Sequence, residues 1–167
     1  MIPSYANFGG KIHGGILLSL MDKVAYACAS RHAGGYCVTV AVDGVEFLHP
    51  VEVGELVSMS ASVHYVGRSS MVIGIEVHAE NVMNGVSKQT NTSYFTMVHK
   101  GPDDKPSQVP GLILETQAEV ALFMDAIQRR NLKRQFKARM QQIDADLAHG
   151  PDLALLQNER CRLAVEA

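Results

Sequence analysis

The sequence contains no tryptophan, and only 6% of its 167 residues are aromatic. It has three cysteines, none in a CxxC spacing, so we expect reduced thiols and neither a disulfide framework nor a redox motif. Lysine and arginine number 15 against 17 aspartates and glutamates. This balance gives no reason to expect nucleic acid or an anionic membrane as a partner.

Long hydrophobic runs are also missing. No apolar stretch approaches the roughly 20 residues that span a bilayer, and the first residues lack the basic region and cleavage site of a secretory signal. Hydrophobic residues nevertheless make up 47% of the chain and charged residues 19%, as in soluble globular proteins. We therefore expect a cytoplasmic protein without a membrane partner, built as one domain of about 100–150 residues plus an appendage.

One long apolar segment does occur near the start of the chain. Gly14-Gly15 opens it and Gly34-Gly35 ends it, which predicts a helix over residues 13–33. Apolar residues cover nearly its whole circumference, so other structure has to enclose it. We expect this helix at the centre of the fold.

Four later segments have the alternating pattern of half-buried strands. They are residues 36–45, continuing towards 48, and residues 55–66, 70–80 and 89–100. One long buried helix followed by four or five antiparallel strands predicts an α+β fold with the sheet curved around the helix.

The last third of the chain has a different character. Residues 101–111 contain three prolines and predict a linker. The chain therefore divides into a domain at residues 1–101, a linker at 102–111 and a C-terminal helical extension at 112–167. The extension predicts a long helix over residues 115–149, whose apolar stripe should pack on the sheet or on a neighbouring subunit, and a short final helix over 153–165.

Six cations are concentrated in this extension, between residues 129 and 139. They suit either a solvated helix face or contact with nucleotide phosphates or RNA, and the solvated face is the default for such a run. They are Arg129, Arg130, Lys133, Arg134, Lys137 and Arg139.

Asp22 is the sharpest candidate for chemistry because it is a carboxylate inside the apolar helix. Burying it is costly unless it binds a ligand or water, pairs with Lys23 or caps a neighbouring strand. The glycine pair Gly14-Gly15 lets a ligand approach the backbone and leaves N–H donors at the positive end of the helix dipole. Together these residues outline an ester- or thioester-hydrolysing site in which the carboxylate holds a water.

Three further sites each have two interpretations. Asn7 can donate an amide hydrogen bond to a carbonyl oxygen, or form a turn before Gly9-Gly10. His13 can act as base or donor, or cap the helix. Arg68, Ser69 and Ser70 suit a phosphate group, or form an ordinary polar turn. The seven histidines make no HxxxH or HExxH pair, so we expect no metal.

An ordered series of motifs resembles the hot-dog acyl-CoA thioesterases of the cytosolic acyl-CoA hydrolase type. The motifs are NFGG at 7–10, HGG at 13–15, LMDKVA at 20–25, VDGVEFLHPV at 42–51, GE at 54–55 and GRSSM at 67–71. The resemblance covers about residues 5–100. It implies a hot-dog fold, with a helix wrapped by five or six antiparallel strands, and homodimers that often assemble into hexamers as trimers of dimers.

The resemblance also implies an active site at the dimer interface. The family's water-activating aspartate falls on Asp22, and its loop asparagine, contributed from the facing subunit, falls on Asn7. The diglycine falls on Gly14 and Gly15, whose amides would polarise the thioester carbonyl. Residues 68–70 match a segment near the CoA nucleotide, and His13 is also expected near the substrate.

The expected function is hydrolysis of an acyl-CoA substrate to a free acid and CoA, with no cofactor apart from CoA as part of substrate and product. Asp22 is either the general base or a nucleophile that forms an anhydride. The alternative is a non-catalytic acyl-CoA-binding module whose C-terminal helix docks a partner. A hot-dog dehydratase is a third interpretation, but its acid–histidine signature is not apparent.

Overall fold

The order of elements in the computed structural model is a long helix, four strands and a second long helix. The structure describes residues 1–148, 150, 153–156, 159–161 and 164. Short 3₁₀ turns occupy Pro3–Tyr5 and Leu153–Leu156. The main elements are α1 (Gly14–Ala33), β1 (Cys37–Asp43), β2 (Leu56–Val66), β3 (Ser70–Asn81), β4 (Val86–His99) and α2 (Gln117–Ala148).

The four strands form one antiparallel sheet in the order β1-β4-β3-β2. Each pair of neighbours contains a register shift, between Thr39 and Ala41, between Val63 and Tyr65, and between Val77 and His78. Such bulges increase the twist of a sheet and help it to curve. The α+β hot-dog architecture is thereby confirmed, although the described sheet has four strands and not the five or six that the resemblance implied.

One face of α1 packs on one side of this sheet. Its buried residues recur every four positions, which places them on one side of the helix; they are Leu17, Met21, Ala25 and Ala29. They share a core with the inward residues of the two central strands, Met71, Ile73, Ile75, Val77, Phe95 and Met97. The opposite face, including Ser19, Lys23 and Tyr26, is exposed. Enclosure of α1 on all sides is therefore not achieved within one chain.

The ends of α1 follow the glycine and histidine signals of the sequence. His13 is the N-cap, and its Nδ1 accepts a hydrogen bond of 3.0 Å from the Gly15 N–H. Gly34 ends the helix in the left-handed conformation, at φ 68°, which glycine adopts without a steric cost. The predicted helix over residues 13–33 thus agrees with the structure to within one residue.

The proline-containing segment after β4 lies against the sheet. Val109 is buried in the core at 5% exposure, and its N–H donates to the carbonyl of Arg68 over 3.0 Å. The chain divides by its contacts into one unit at Met1–Ala126 and a second at Ile127–Ala167. The first unit therefore extends beyond residue 101, through the proposed linker and into α2.

Helix α2 begins with a capping box. The Glu119 N–H donates to the Thr116 hydroxyl over 3.2 Å, and the Glu119 carboxylate accepts the Thr116 N–H over 2.8 Å. The helix ends at Ala148, and residue 149 of the predicted range lies outside the described residues. Of the predicted helix at 153–165, residues 157, 158, 162, 163 and 165 also lie outside them, and the described part contains the 3₁₀ turn Leu153–Leu156. Within the described part of the chain, no helix is both long and apolar enough to cross a membrane.

Candidate functional site

Asp22 lies at the border between α1 and the edge strand β1. It is half-buried, and its Oδ1 accepts a hydrogen bond of 2.6 Å from the hydroxyl of Thr39. The same hydroxyl lies 3.2 Å from the Met97 sulfur on the neighbouring strand. The carboxylate therefore has one oxygen fixed by β1.

The glycine pair lies at the start of α1, beneath the ring of Phe47. A Cβ at Gly14 would lie 3.2 Å from the ring, so glycine permits this close approach. The Gly15 N–H already donates to His13 Nδ1. Among the described residues, no acceptor takes the Gly14 N–H. The structure thus separates the predicted pair of donors: Gly15 is occupied by the helix cap, and Gly14 is available.

His13 has the capping role that was one of its two interpretations. Because its Nδ1 accepts a hydrogen bond, the neutral ring carries its proton on Nε2. The side chain is exposed, so the Nε2–H is a donor on the surface next to Gly14.

Asn7 forms a tight turn before α1. Its Oδ1 accepts hydrogen bonds from the N–H of Gly9 over 2.9 Å and from the N–H of Lys11 over 3.1 Å. Since backbone N–H groups only donate, the side-chain atom that faces them has to be the carbonyl oxygen. The amide NH₂ group of Asn7 points away from the turn. No hydrogen bond joins Asn7 to Asp22 among the described residues of this one chain.

Beside the turn that contains Asn7 lie two ion pairs joined by one hydrogen bond. Lys11 pairs with Glu52. The Glu52 N–H donates to Glu55 Oε2 over 2.8 Å, and Lys88 on β4 contacts Glu55 Oε1 over 2.8 Å. Burial of the Glu55 carboxylate acts to raise its pKa, but the hydrogen bonds from Lys88 and Glu52 and the nearby lysine charges outweigh it and hold the pKa below its ordinary value.

Residues 68–70 form the β2–β3 turn. The Gly67 N–H closes the turn on the Ser70 carbonyl over 2.7 Å, and Arg68 is exposed. Ser70 pairs with Val98 near the end of β4. Gly14 lies near the other end of the sheet, since Phe47 precedes a hydrogen bond from Leu48 to Thr90 at the start of β4. From residue 90 to 98 a strand spans about 25 Å, so one chain does not bring these two groups together.

Neither a reactive thiol at Cys28 or Cys37 nor a metal-binding cluster is found among the described residues. Burial raises the pKa of the thiols of Cys28 and Cys37, which keeps both protonated and unreactive. In the described part of the chain, no cluster of three or more histidine, cysteine, aspartate or glutamate side chains could hold a metal ion.

Thr39, Phe47 and Glu55 were not identified from the sequence as site residues. Thr39 lies in a segment read only as strand, where a threonine is ordinary. Phe47 belongs to the VDGVEFLHPV motif at 42–51, which was quoted only for the resemblance. Glu55 belongs to the GE pair at 54–55, so a signal existed, but the residue was quoted only for the resemblance. Their contacts depend on which elements the fold brings together.

The sequence of this chain matches a known family and several known proteins. Residues 9–86 match the model of the thioesterase superfamily. Among curated proteins, the chain is 39% identical over 133 residues to protein VdlD of Helicobacter pylori, covering 80% of this chain and 76% of that protein.

Solved structures of acyl-CoA thioesterases and hydrolases have the same fold as this chain. A hexameric acyl-CoA thioesterase superimposes with a TM-score of 0.80 at 31% identity, covering 83% of this chain and 88% of that one. An acyl-CoA hydrolase from Staphylococcus aureus, solved with butyryl-CoA and CoA, superimposes with a TM-score of 0.77 at 30% identity. The match covers 89% of this chain and 90% of that one. That enzyme was also solved with an asparagine, an aspartate or a threonine changed to alanine, and the three residues have the same spacing as Asn7, Asp22 and Thr39.

Proposed function

This chain belongs to the thioesterase superfamily, and we propose that it hydrolyses acyl-CoA thioesters to a free acid and CoA. The observation that carries the proposal is the half-buried Asp22 carboxylate, held by the Thr39 hydroxyl of β1. The shared spacing with three residues chosen for substitution in the Staphylococcus aureus hydrolase supports the assignment of Asn7, Asp22 and Thr39 to one site.

Asp22 is proposed to activate the hydrolytic water. With one oxygen bound to Thr39, the carboxylate is oriented and its second oxygen is available to a water molecule. The water attacks the thioester carbonyl carbon and gives its proton to Asp22. The tetrahedral intermediate then collapses, the C–S bond breaks, and the CoA sulfur leaves with the proton that Asp22 returns. Direct attack by Asp22, through an anhydride, is the other form of the same assignment.

Asn7 and Gly14 are proposed to donate hydrogen bonds to the carbonyl oxygen as it becomes negative. The Asn7 Oδ1 is already occupied by two backbone N–H groups, so this side chain offers only its NH₂ group to a substrate. Gly14 contributes a backbone N–H at the positive end of α1. Donors aimed at a developing oxyanion are worth about 100- to 1000-fold in rate.

The proposed site is shared between two copies of the chain. No hydrogen bond joins Asn7 to Asp22 within the described part of one copy. β1 is an edge strand of the described sheet with Val40 and Val42 exposed, and Tyr26 of α1 is exposed as well. A second copy seated there would cover the exposed face of α1 and supply its own Asn7. Residues 68–70 and His13 would then contact the CoA part of the substrate. Dimers assembled into hexamers, and a cytoplasmic location, remain predictions.

CoA release, followed with a thiol reagent across a series of acyl-CoA chain lengths, tests the activity. We expect release above the spontaneous rate with at least one chain length. Tight binding of acyl-CoA with no release at any length would instead support the non-catalytic binding module, and neither binding nor release would refute both.

Mixing inactive variants tests the shared site. We expect Asn7→Ala and Asp22→Asn chains to be nearly inactive alone, because each removes one half of every site. In mixed dimers one of the two sites recovers both residues, so co-expressed chains should regain about a quarter of wild-type activity by random pairing. Recovery no greater than the sum of the separate variants would place both residues within one chain.

A further inference from the structure

The turn that presents Asn7 lies against the segment that contains Val51 and Glu52. Residues 6 and 12 pair as an isolated bridge, and Lys11 pairs with Glu52 in another. The Ile12 N–H donates to the Val51 carbonyl over 2.8 Å, and both side chains are buried. The orientation of the Asn7 amide therefore depends on where the segment around Glu52 is held.

Glu55 holds that segment. Its side chain is only 7% exposed, and it connects the Glu52 N–H at one oxygen with Lys88 of β4 at the other. The Glu52 side chain, in contrast, is 40% exposed, and the side chain of its partner Lys11 is 45% exposed. Glu55 thus links the segment at residues 52–55 to the sheet from a buried position, whereas Glu52 forms an ion pair on the surface.

We infer that Glu55, through its contact with Lys88, is a positioning residue that orients the Asn7 amide for the reaction. The inference deepens the proposed function, on which it rests. The connection runs from Lys88 on β4 to the Glu55 carboxylate, then through the backbone of Glu52 to its bridge with Lys11, whose N–H binds Asn7 Oδ1. Without the carboxylate, Lys88 and the Glu52 N–H lose their common acceptor, and the turn gains freedom to move.

A matched pair of substitutions separates positioning from surface charge. Glu55→Gln and Glu52→Gln each remove one negative charge from the same turn. A donor displaced by about 1 Å can cost as much as 100-fold in rate, so we expect Glu55→Gln to lower kcat about tenfold or more with KM changed less than about twofold. Glu52→Gln should change kcat less than about twofold. Equal effects of the two variants, or an effect of Glu55→Gln on KM alone, would overturn the inference.

A double-mutant cycle asks whether Glu55 acts through Asn7. In an Asn7→Ala background the amide is already missing, so adding Glu55→Gln should lower kcat by less than about twofold. A purely structural role would lower kcat by the same factor in both backgrounds. If Glu55→Gln fails to fold, Lys88→Met takes its place in the same cycle with the same expectation.

The side-chain amide of Asn7 provides a readout independent of activity. In ¹⁵N–¹H spectra its NH₂ pair is identified as the signal absent from Asn7→Ala. We expect Glu55→Gln or Lys88→Met to shift or broaden this pair, and Glu52→Gln to leave it unchanged. An unaltered signal in all three variants would refute the inference even if wild-type protein hydrolysed acyl-CoA. If wild-type protein hydrolysed none, the proposed function would fail while this spectrum still decided the orientation of Asn7.

Discussion

The two long helices of this protein are built on different principles. α1 buries four residues at a spacing of four and packs them into the core of the sheet. α2 is longer, at 32 residues, yet only Ala126 is buried along its described length. Apolar side chains beyond Ala126, among them Leu132 and Phe136, are exposed at 62% and 66%.

The difference shows what an apolar pattern does and does not establish. Both helices were predicted from their sequence, and both were expected to bury apolar residues. In α1 the sheet folded beside it satisfies that expectation on one face, Asp22 lies at the border of that face, and the other face is proposed to meet a second copy. In α2, Phe123 of the apolar stripe packs against Tyr65 of β2, with ring centroids 5.1 Å apart; packing of the rest of the stripe on a subunit remains a prediction.

The largest contrast should come from the same substitution placed on each helix. Asp22→Asn removes the proposed base, so we expect kcat to fall about 100-fold or more with the assembly intact. Asp144→Asn, on the exposed surface of α2, should leave kcat within about twofold. CoA-release kinetics, with light scattering to confirm the assembly, measure both, and near wild-type turnover in a folded Asp22→Asn protein would contradict the assignment.

Methionine truncation extends the comparison to stability. Met21 of α1 is completely buried, whereas Met140 of α2 is 38% exposed. We expect Met21→Ala to lower the free energy of unfolding by about 2–5 kcal/mol, because it leaves a cavity in the core. Met140→Ala should cost only about 0.5 kcal/mol. Urea denaturation provides both values; equal losses would mean that another surface covers Met140 in solution.

Threonine-to-valine substitutions compare a site contact with a helix cap. Thr39→Val keeps the shape but removes the donor to Asp22, so we expect kcat to fall about tenfold, the value of a hydrogen bond to a charged group. Thr116→Val removes the N-cap of α2 and should cost about 1 kcal/mol of stability without changing kcat. CoA-release kinetics and urea denaturation of both variants test whether one loses rate and the other loses stability. A rate defect in Thr116→Val would link the cap to catalysis.

The smallest expected effect is a pH dependence confined to α2. Backbone hydrogen bonds from Glu115 and Thr116, and one from the Thr116 hydroxyl, hold the pKa of Glu119 below its ordinary value. A carboxyl group of this kind stabilises the fold above its unfolded pKa and loses that effect as the pH falls through its folded pKa. The first turn of α2 should fray in that acidic range, as measured by amide hydrogen exchange. Glu119→Gln should exchange faster at neutral pH and show no such step.

Much of the fold was accessible from local patterns. The helix over residues 13–33 and the strands over 55–66 and 70–80 agree with the structure to within one or two residues, because glycine termination and side-chain alternation are local signals. The four or five strands expected from alternation include the four observed. The five or six implied by the resemblance exceed that number, since the segment before α1 forms a 3₁₀ turn and isolated bridges. The segment at 102–111 was read as a linker, and a proline pattern alone did not indicate that Val109 would enter the core.

The candidate site was only partly visible. Asp22 stood out because a carboxylate in an apolar helix is unusual, and Asn7 was added by the resemblance to a family. The hydrogen bond from Thr39 and the occupation of the Gly15 N–H by His13 could not be read from residue types, because each depends on a particular geometry. Glu55 was visible only as half of a glycine–glutamate pair.

The sequence by itself determined which segments form helices and strands, which residues are apolar, and which carboxylate lies among them. Tertiary structure decided that β1 delivers Thr39 to Asp22, that Lys88 reaches Glu55, and that one face of α1 stays exposed. The physical reason is the distance along the sequence over which each kind of interaction acts. Alternation, capping and glycine termination act between residues a few positions apart, whereas these contacts join residues 17 to 33 positions apart whose meeting depends on how the sheet curves.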